Sequence, residues 1–305
     1  MSSDRDRSYG LARDEGLAAG LTRVAAGRAE KAIERLRAGG AGELETAEAV
    51  HGARKDMKKL RTVLRLLRAE LGPKRCKRAN ARFRDAARAL SETRDAQVKL
   101  ETLDALAERA DGLPEGAVDA WRKILDRDRE AAANAVRDEP TVARAIELIE
   151  EGLGEIEGWD LEGDSWKTID RSLARTYRRG RRAMKGAAAD GDEAFHEWRK
   201  RAKDLWYELR LLRAAWSGPL GAISEEAHRL TDLLGDHHDL SVLREDLHER
   251  NLGEDETAAL EAAIGRRQEE LAEEAFALAS RLYAERPRDF SRRLHRYWKA
   301  WRRSH

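Results

Sequence analysis

With 305 residues, 41% of them apolar, the chain is long enough to bury one large core or two ordinary ones. Charged residues reach 38%, yet 59 Lys and Arg nearly cancel 58 Asp and Glu, and a formal net charge of +1 excludes polyanion binding by bulk charge alone. The single cysteine, Cys76, excludes a disulfide framework, and with no long apolar run and no leader-like core in MSSDRDRSYG the expectation is a soluble, cytoplasmic protein that spans no membrane.

Five prolines, abundant Ala, Leu, Arg and Glu, and apolar residues spaced by three and four predict an all-α chain without strands. In chain order, helices are expected over 8–38, 45–71, 74–110, 115–137, 141–156, 166–189, 192–217, 219–235, 239–250, 255–285 and 288–302. Glycine and proline supply the punctuation, at Gly39-Gly40, Gly72-Pro73, Pro114, Pro140, Gly158, Gly191, Gly218-Pro219 and Pro287.

The first helix carries Arg28, Lys31 and Arg35, interrupted by Glu30 and Glu34. The second is more ordered. At about 100° per residue, His51, Arg54, Lys58, Arg61 and Arg65 share one stripe, while Leu60, Val63, Leu64, Leu67 and Leu71 face the opposite way. Asp56 and Glu70 lie at the margin of the apolar face, so no acid of this helix interrupts the cations.

Aligned like charges lose the few tenths of a kcal/mol that mixed i,i+4 pairs gain, about 0.2–0.5 per pair, unless an anion receives them. The run RSLARTYRRGRRAMK (171–185) behaves similarly, with seven cations and no acid. Arg171, Arg175, Arg178, Arg182 and Lys185 share one arc, and Tyr177 and Leu173 are left to pack. The helix over 192–217 then repeats the second, with His196, Arg199, Lys203 and Arg210 on the stripe, joined by Trp206 and Tyr207, and Glu197, Asp204 and Glu208 to one side.

An offset of 145 gives 11 identities in the 22 positions from 50 to 71, including His51, Arg54, Lys55, Lys58 and Arg65 against His196, Arg199, Lys200, Lys203 and Arg210. An offset of 144 lays LSETRDAQV (90–98) over LGDHHDLSV (234–242), setting His238 opposite Arg94. Both point to an internal duplication, with halves 1–157 and 158–305 and GWDLEGD (158–164) as the joint.

Each signal has a plainer reading. A basic stripe on one helix is a common solvated face, and its recurrence in both halves is what favours phosphate, which the arginine fork suits. His51 and His196 are either structural or hydrogen-bond partners of an anion. DHHD (236–239) contains metal-ligand residue types, but neighbours about 100° apart on a helix rarely converge on one ion, and no metal is expected. The segment RRLHRYWKAWRR (292–303) either stacks bases on Tyr297, Trp298 and Trp301 or docks its rings into the core, the reading favoured here. Nucleotide loops, nucleophile elbows and paired acid–base carboxylates are not evident, so neither cofactor nor catalysis is expected.

The paired signatures HxxRxxxKxxRxxxR (51–65) and HxxRxxxK (196–203), each followed by L-x-x-x-[RH]-D-x-x-V, resemble the CHAD family, the conserved histidine α-helical domains. The likeness runs from about residue 10 to 302. It implies one domain of two pseudo-symmetric four-helix bundles, with a basic groove or pore between them that binds inorganic polyphosphate. Matching positions carry over His51, Arg54, Lys58, Arg61, Arg65 and Arg94, and His196, Arg199, Lys203, Tyr207 and His238.

The candidate set also includes Lys55, Lys200 and Arg210, and the run Arg171, Arg175, Arg178, Arg182 and Lys185. Asp204, Trp206 and His238 stand where such proteins often place further cations, so the second half is expected to grip more weakly, with the 171–185 run compensating. Some relatives carry a triphosphate tunnel domain marked by ExExK; ELETA (43–47) lacks the lysine, and a non-catalytic binding module is expected. Single-stranded nucleic acid is the second choice of partner. Whether the role is at polyphosphate granules, in scaffolding or in sensing stays open.

Overall fold

Apolar residues at helical spacing organise the chain into eleven α-helices in the computed structural model, which describes residues 8–303 apart from 91, 111, 112, 114, 136–138, 162, 190, 251 and 252. They are α1 (Leu17–Gly40), α2 (Thr46–Leu66), α3 (Arg68–Ala89), α4 (Glu92–Arg109), α5 (Glu115–Ala135), α6 (Glu139–Glu157), α7 (Lys167–Ala187), α8 (Gly191–Leu212), α9 (Ser217–His248), α10 (Glu254–Leu282) and α11 (Pro287–Arg303), with a 3₁₀ turn at Arg213–Trp216. No strand occurs among the described residues, and the fold is all-α. Among the same residues no helix is long and apolar enough to cross a membrane.

In the first part of the chain α1 lies against α2, α2 against α3, and α6 against both α1 and α3. In the second, α7 lies against α8, α8 against α9, and α11 against α7. One large core draws on α1, α2, α3, α6, α7, α8, α11, the first half of α9 and the end of α10. A smaller core joins Leu103, Leu106, Trp121 and Leu125 of α4 and α5 to Leu243 and Leu247 of α9 and Leu260 and Ile264 of α10. The boundary between the two cores therefore falls within α9.

Three predicted boundaries moved, each for a tertiary reason. Residues 8–16, expected as helix, form a strap of bends and a turn: Leu11 N donates to Leu211 O at 3.3 Å and the Tyr9 hydroxyl to Tyr207 O at 3.2 Å. Helix α1 then starts at Leu17, whose N–H donates to Asp164 Oδ1 at 3.0 Å, a cap supplied from 147 residues away. The predicted 74–110 helix is divided into α3 and α4, and Arg54 Nη1 holds the end of α3 by donating to Ala87 O at 3.2 Å and Leu90 O at 2.9 Å. Conversely, α9 runs unbroken through Gly235 and DHHD, because burial of Leu234, His237 and Leu240 outweighs the roughly 1 kcal/mol that one helical glycine costs.

Two glycines set close geometry. Gly72 takes φ 75° and ψ 158°, a left-handed conformation that bends the chain ahead of Pro73. Gly152 brings α6 so near α3 that a Cβ there would run into the Phe83 ring.

Candidate anion-binding site

Helix α2 presents its basic face because Met57, Leu60, Val63 and Leu64 on the other face are fully buried. Its cations are only partly exposed, apart from Lys55, which is exposed. Arg54 is committed to the carbonyls ending α3. Arg61 Nε donates to Asn80 Oδ1 at 3.0 Å, and burial, then the charges of Arg65 and Arg84, push its pKa down to about 10 despite Asp204. Arg65 Nη2 donates to Thr62 Oγ1 at 2.8 Å and, across to α8, to Asp204 Oδ1 at 2.5 Å, while its buried Nε has no acceptor.

Around this contact α3, α7 and α8 add guanidinium groups. Arg201 Nη1 donates to Asp204 Oδ2 at 2.9 Å, and Arg201 and Arg179 both approach Glu197, at 2.8 and 3.7 Å. Burial and Arg201 hold Arg179 below the usual guanidinium range, although Glu197 and Asp204 oppose them. Burial raises the Cys76 thiol, while Arg68, Arg65 and Arg175 pull it down, which puts two more guanidinium charges, beside Arg65, in reach of one buried sulfur. Along α7, Arg171, Arg175, Arg178, Arg182 and Lys185 are exposed and meet no carboxylate at ion-pair distance among the described residues. Tyr177 and Leu173 are buried beneath them, as the helical spacing predicts.

The second histidine stripe forms a separate group. His196 and His238 face each other Nδ1 to Nδ1 at 3.3 Å. Burial, then Lys200, lowers the pKa of His196; burial, then Arg199 and His196, lowers that of His238 to about 4. Arg199 lies 4.0 Å from Asp239 Oδ1 and leaves a buried Nε without an acceptor, while Lys200 is exposed and Lys203 half-buried.

Tyr207 departs from its expected place on the surface stripe. It is only 3% exposed, stacked on Trp206 and edge-on to Tyr9, because the strap closes over it. Arg210 lies over Tyr9 and Trp206, with ring centroids 5.5 and 5.3 Å away. The side chain of Arg94 lies outside the described residues, and His51 and Lys58 sit half-buried on α2.

The helical wheel counted only acids on the same helix, and packing brought Asp204 onto Arg65 from 139 positions away. It also missed Arg68, Arg84, Arg179 and Arg201. For Arg68 and Arg84 the available signal was the density of cations in α3, where Lys74, Arg75, Lys77, Arg78, Arg82, Arg84 and Arg88 share the helix with only Glu70 and Asp85 as acids. The rings of α11 dock inward: Trp298 is buried beside Trp166, and Trp301 packs on Trp298 at 5.1 Å. Among the described residues no three His, Cys, Asp or Glu side chains are grouped to hold a metal ion.

The chain is similar to two uncharacterized proteins of Mycobacterium tuberculosis, Rv2226 of strain H37Rv and MT2285 of strain CDC 1551 / Oshkosh. Each is 33% identical over 215 residues, 66% of this chain, and the match spans 40% of the relatives' own length. A crystal structure of the CHAD domain from the plant Ricinus communis shares the fold, with a TM-score of 0.54, 20% identity and 97% of both chains covered. The family model of the CHAD domain matches residues 27–248. With that match covering more than half of its length, the chain belongs to the CHAD domain family.

Proposed function

We propose that this chain binds inorganic polyphosphate, without hydrolysing it, along a basic groove between two helical repeats. One observation carries the reading: guanidinium groups gather where α2, α3, α7 and α8 meet, with too few carboxylates to neutralise them. The depressed pKa of Arg61 is the physical sign, since burial and like charges both oppose its protonated form. An anion entering there relieves that repulsion, and the exposed cations of α7 continue the line for a long polyanion. The packing of α1 on α2 and of α2 on α3, paralleled by α7 on α8 and α8 on α9, supports the duplication on which a shared groove depends.

Single-stranded nucleic acid is the second reading. It loses support because the α11 rings that would stack bases are packed against the core or against Trp216. Direct competition between long-chain polyphosphate and single-stranded RNA at matched phosphate concentration tests the choice. Polyphosphate is expected to displace RNA; displacement in the other direction transfers the site to nucleic acid, and binding of neither removes both readings.

A further inference from the structure

The two flanks where α2 crosses α8 are related by the internal offset of 145. Under it Arg65 corresponds to Arg210 and Lys59 to Asp204, so the Arg65–Asp204 contact is the counterpart of the approach of Arg210 to Lys59. On the latter flank two cations share the Tyr9 ring, with centroid distances of 5.5 and 5.6 Å, and Lys59 has Asp56 of its own helix at 3.5 Å. On the former an acid has replaced the lysine.

That acid is placed as a phosphate group would be. Its two oxygens go to two different guanidinium groups, Oδ1 to Arg65 and Oδ2 to Arg201, at 2.5 and 2.9 Å. Arg61 and Arg179 both feel its charge, and the buried Arg65 Nε remains without an acceptor. A carboxylate has two oxygens to offer; a phosphate group has more and carries at least as much charge.

We propose that Asp204 is a resident occupant of an oxyanion subsite formed by Arg65 and Arg201, with Arg61 and Arg179 at its edge, and that it yields these guanidinium groups to an entering phosphate group. The proposal rests on the polyphosphate reading and deepens it. Asp204 acts as a built-in competitor: it offsets part of the subsite's charge in the unliganded protein and weakens the grip on phosphate.

The test is isothermal titration of wild type, Asp204→Asn and Asp204→Ser with inorganic pyrophosphate and with long-chain polyphosphate in ~0.1 M salt. Removing one unit charge about 6 Å from the ligand, at an effective dielectric of about 20–40, tightens binding roughly tenfold to a hundredfold. Without ligand Asp204→Asn melts below wild type, because Arg65 loses its counter-ion and Arg201 keeps only Glu197, and either anion restores the difference. Asp204→Ser, which keeps a hydroxyl acceptor, provides the same comparison if the asparagine variant folds poorly. Polyphosphate binding by wild type with equal or weaker binding by both variants overturns the proposal and leaves the polyphosphate reading intact. Failure of wild type and variants alike to bind either anion overturns both.

Discussion

The exposed face of α7 offers the cleanest perturbation of binding without damage to the fold. Arg175, Arg178 and Arg182 meet no carboxylate at ion-pair distance among the described residues, so replacing all three by glutamine breaks no ion pair among them. It also relieves like-charge neighbours at i,i+3 and i,i+4, worth about 0.2–0.5 kcal/mol per pair, so thermal stability is expected to hold or rise slightly. Each lost phosphate contact lowers the slope of log affinity against log salt by about 0.7 for a single-stranded polyanion, and three contacts lower it by about 2. Between 50 and 200 mM salt that difference amounts to about sixteenfold, so the variant's deficit is about sixteen times larger at the low end. Anisotropy of labelled polyphosphate at 50, 100 and 200 mM salt, alongside thermal melts, provides the measurement. Parallel salt plots for the variant and wild type would refute the reasoning, since they would mean that this face releases no counterions.

Two further predictions concern charges inside the fold. Asp56, 1% exposed, accepts from Arg28 Nη1 at 3.1 Å, and Arg28 is itself 4% exposed. Asp56→Ala removes a buried carboxylate that Arg28, Arg35 and Lys59 all approach and should cost about 3–5 kcal/mol, read as a lower urea midpoint; a loss under 1 kcal/mol would mean that water reaches the site. For His238, the folded pKa of about 4 lies below the ordinary 6.5, so between those values the unfolded chain binds more protons. Its stabilising contribution is present above pH 6.5 and is lost as pH falls towards 4, and His238→Gln should flatten that acid limb of the melting temperature. An unchanged limb would show that His238 does not set it.

What could be read locally came from periodicity. The opposition of His51, Arg54, Lys58, Arg61 and Arg65 to Leu60, Val63 and Leu64 is a property of one helix turning about 100° per residue, and the buried leucines follow from it. The same holds for Tyr177 beneath the α7 cations and for the inward rings of α11. Boundaries set by remote partners were not legible: Asp164 caps α1 across 147 residues, and Arg54 of α2 holds the end of α3. Nor was the burial of Tyr207, which depends on a strap that helical spacing had assigned to α1.

By itself, the order of residues determined that the chain is all helix and which face of each helix carries charge, because both depend on neighbours three and four positions apart. Only the tertiary structure decided which charges meet. Asp204 reaches Arg65, and Arg61, Arg84, Arg179 and Arg201 come into one field, because helices distant in sequence pack side by side, and Coulomb interactions depend on distance in space.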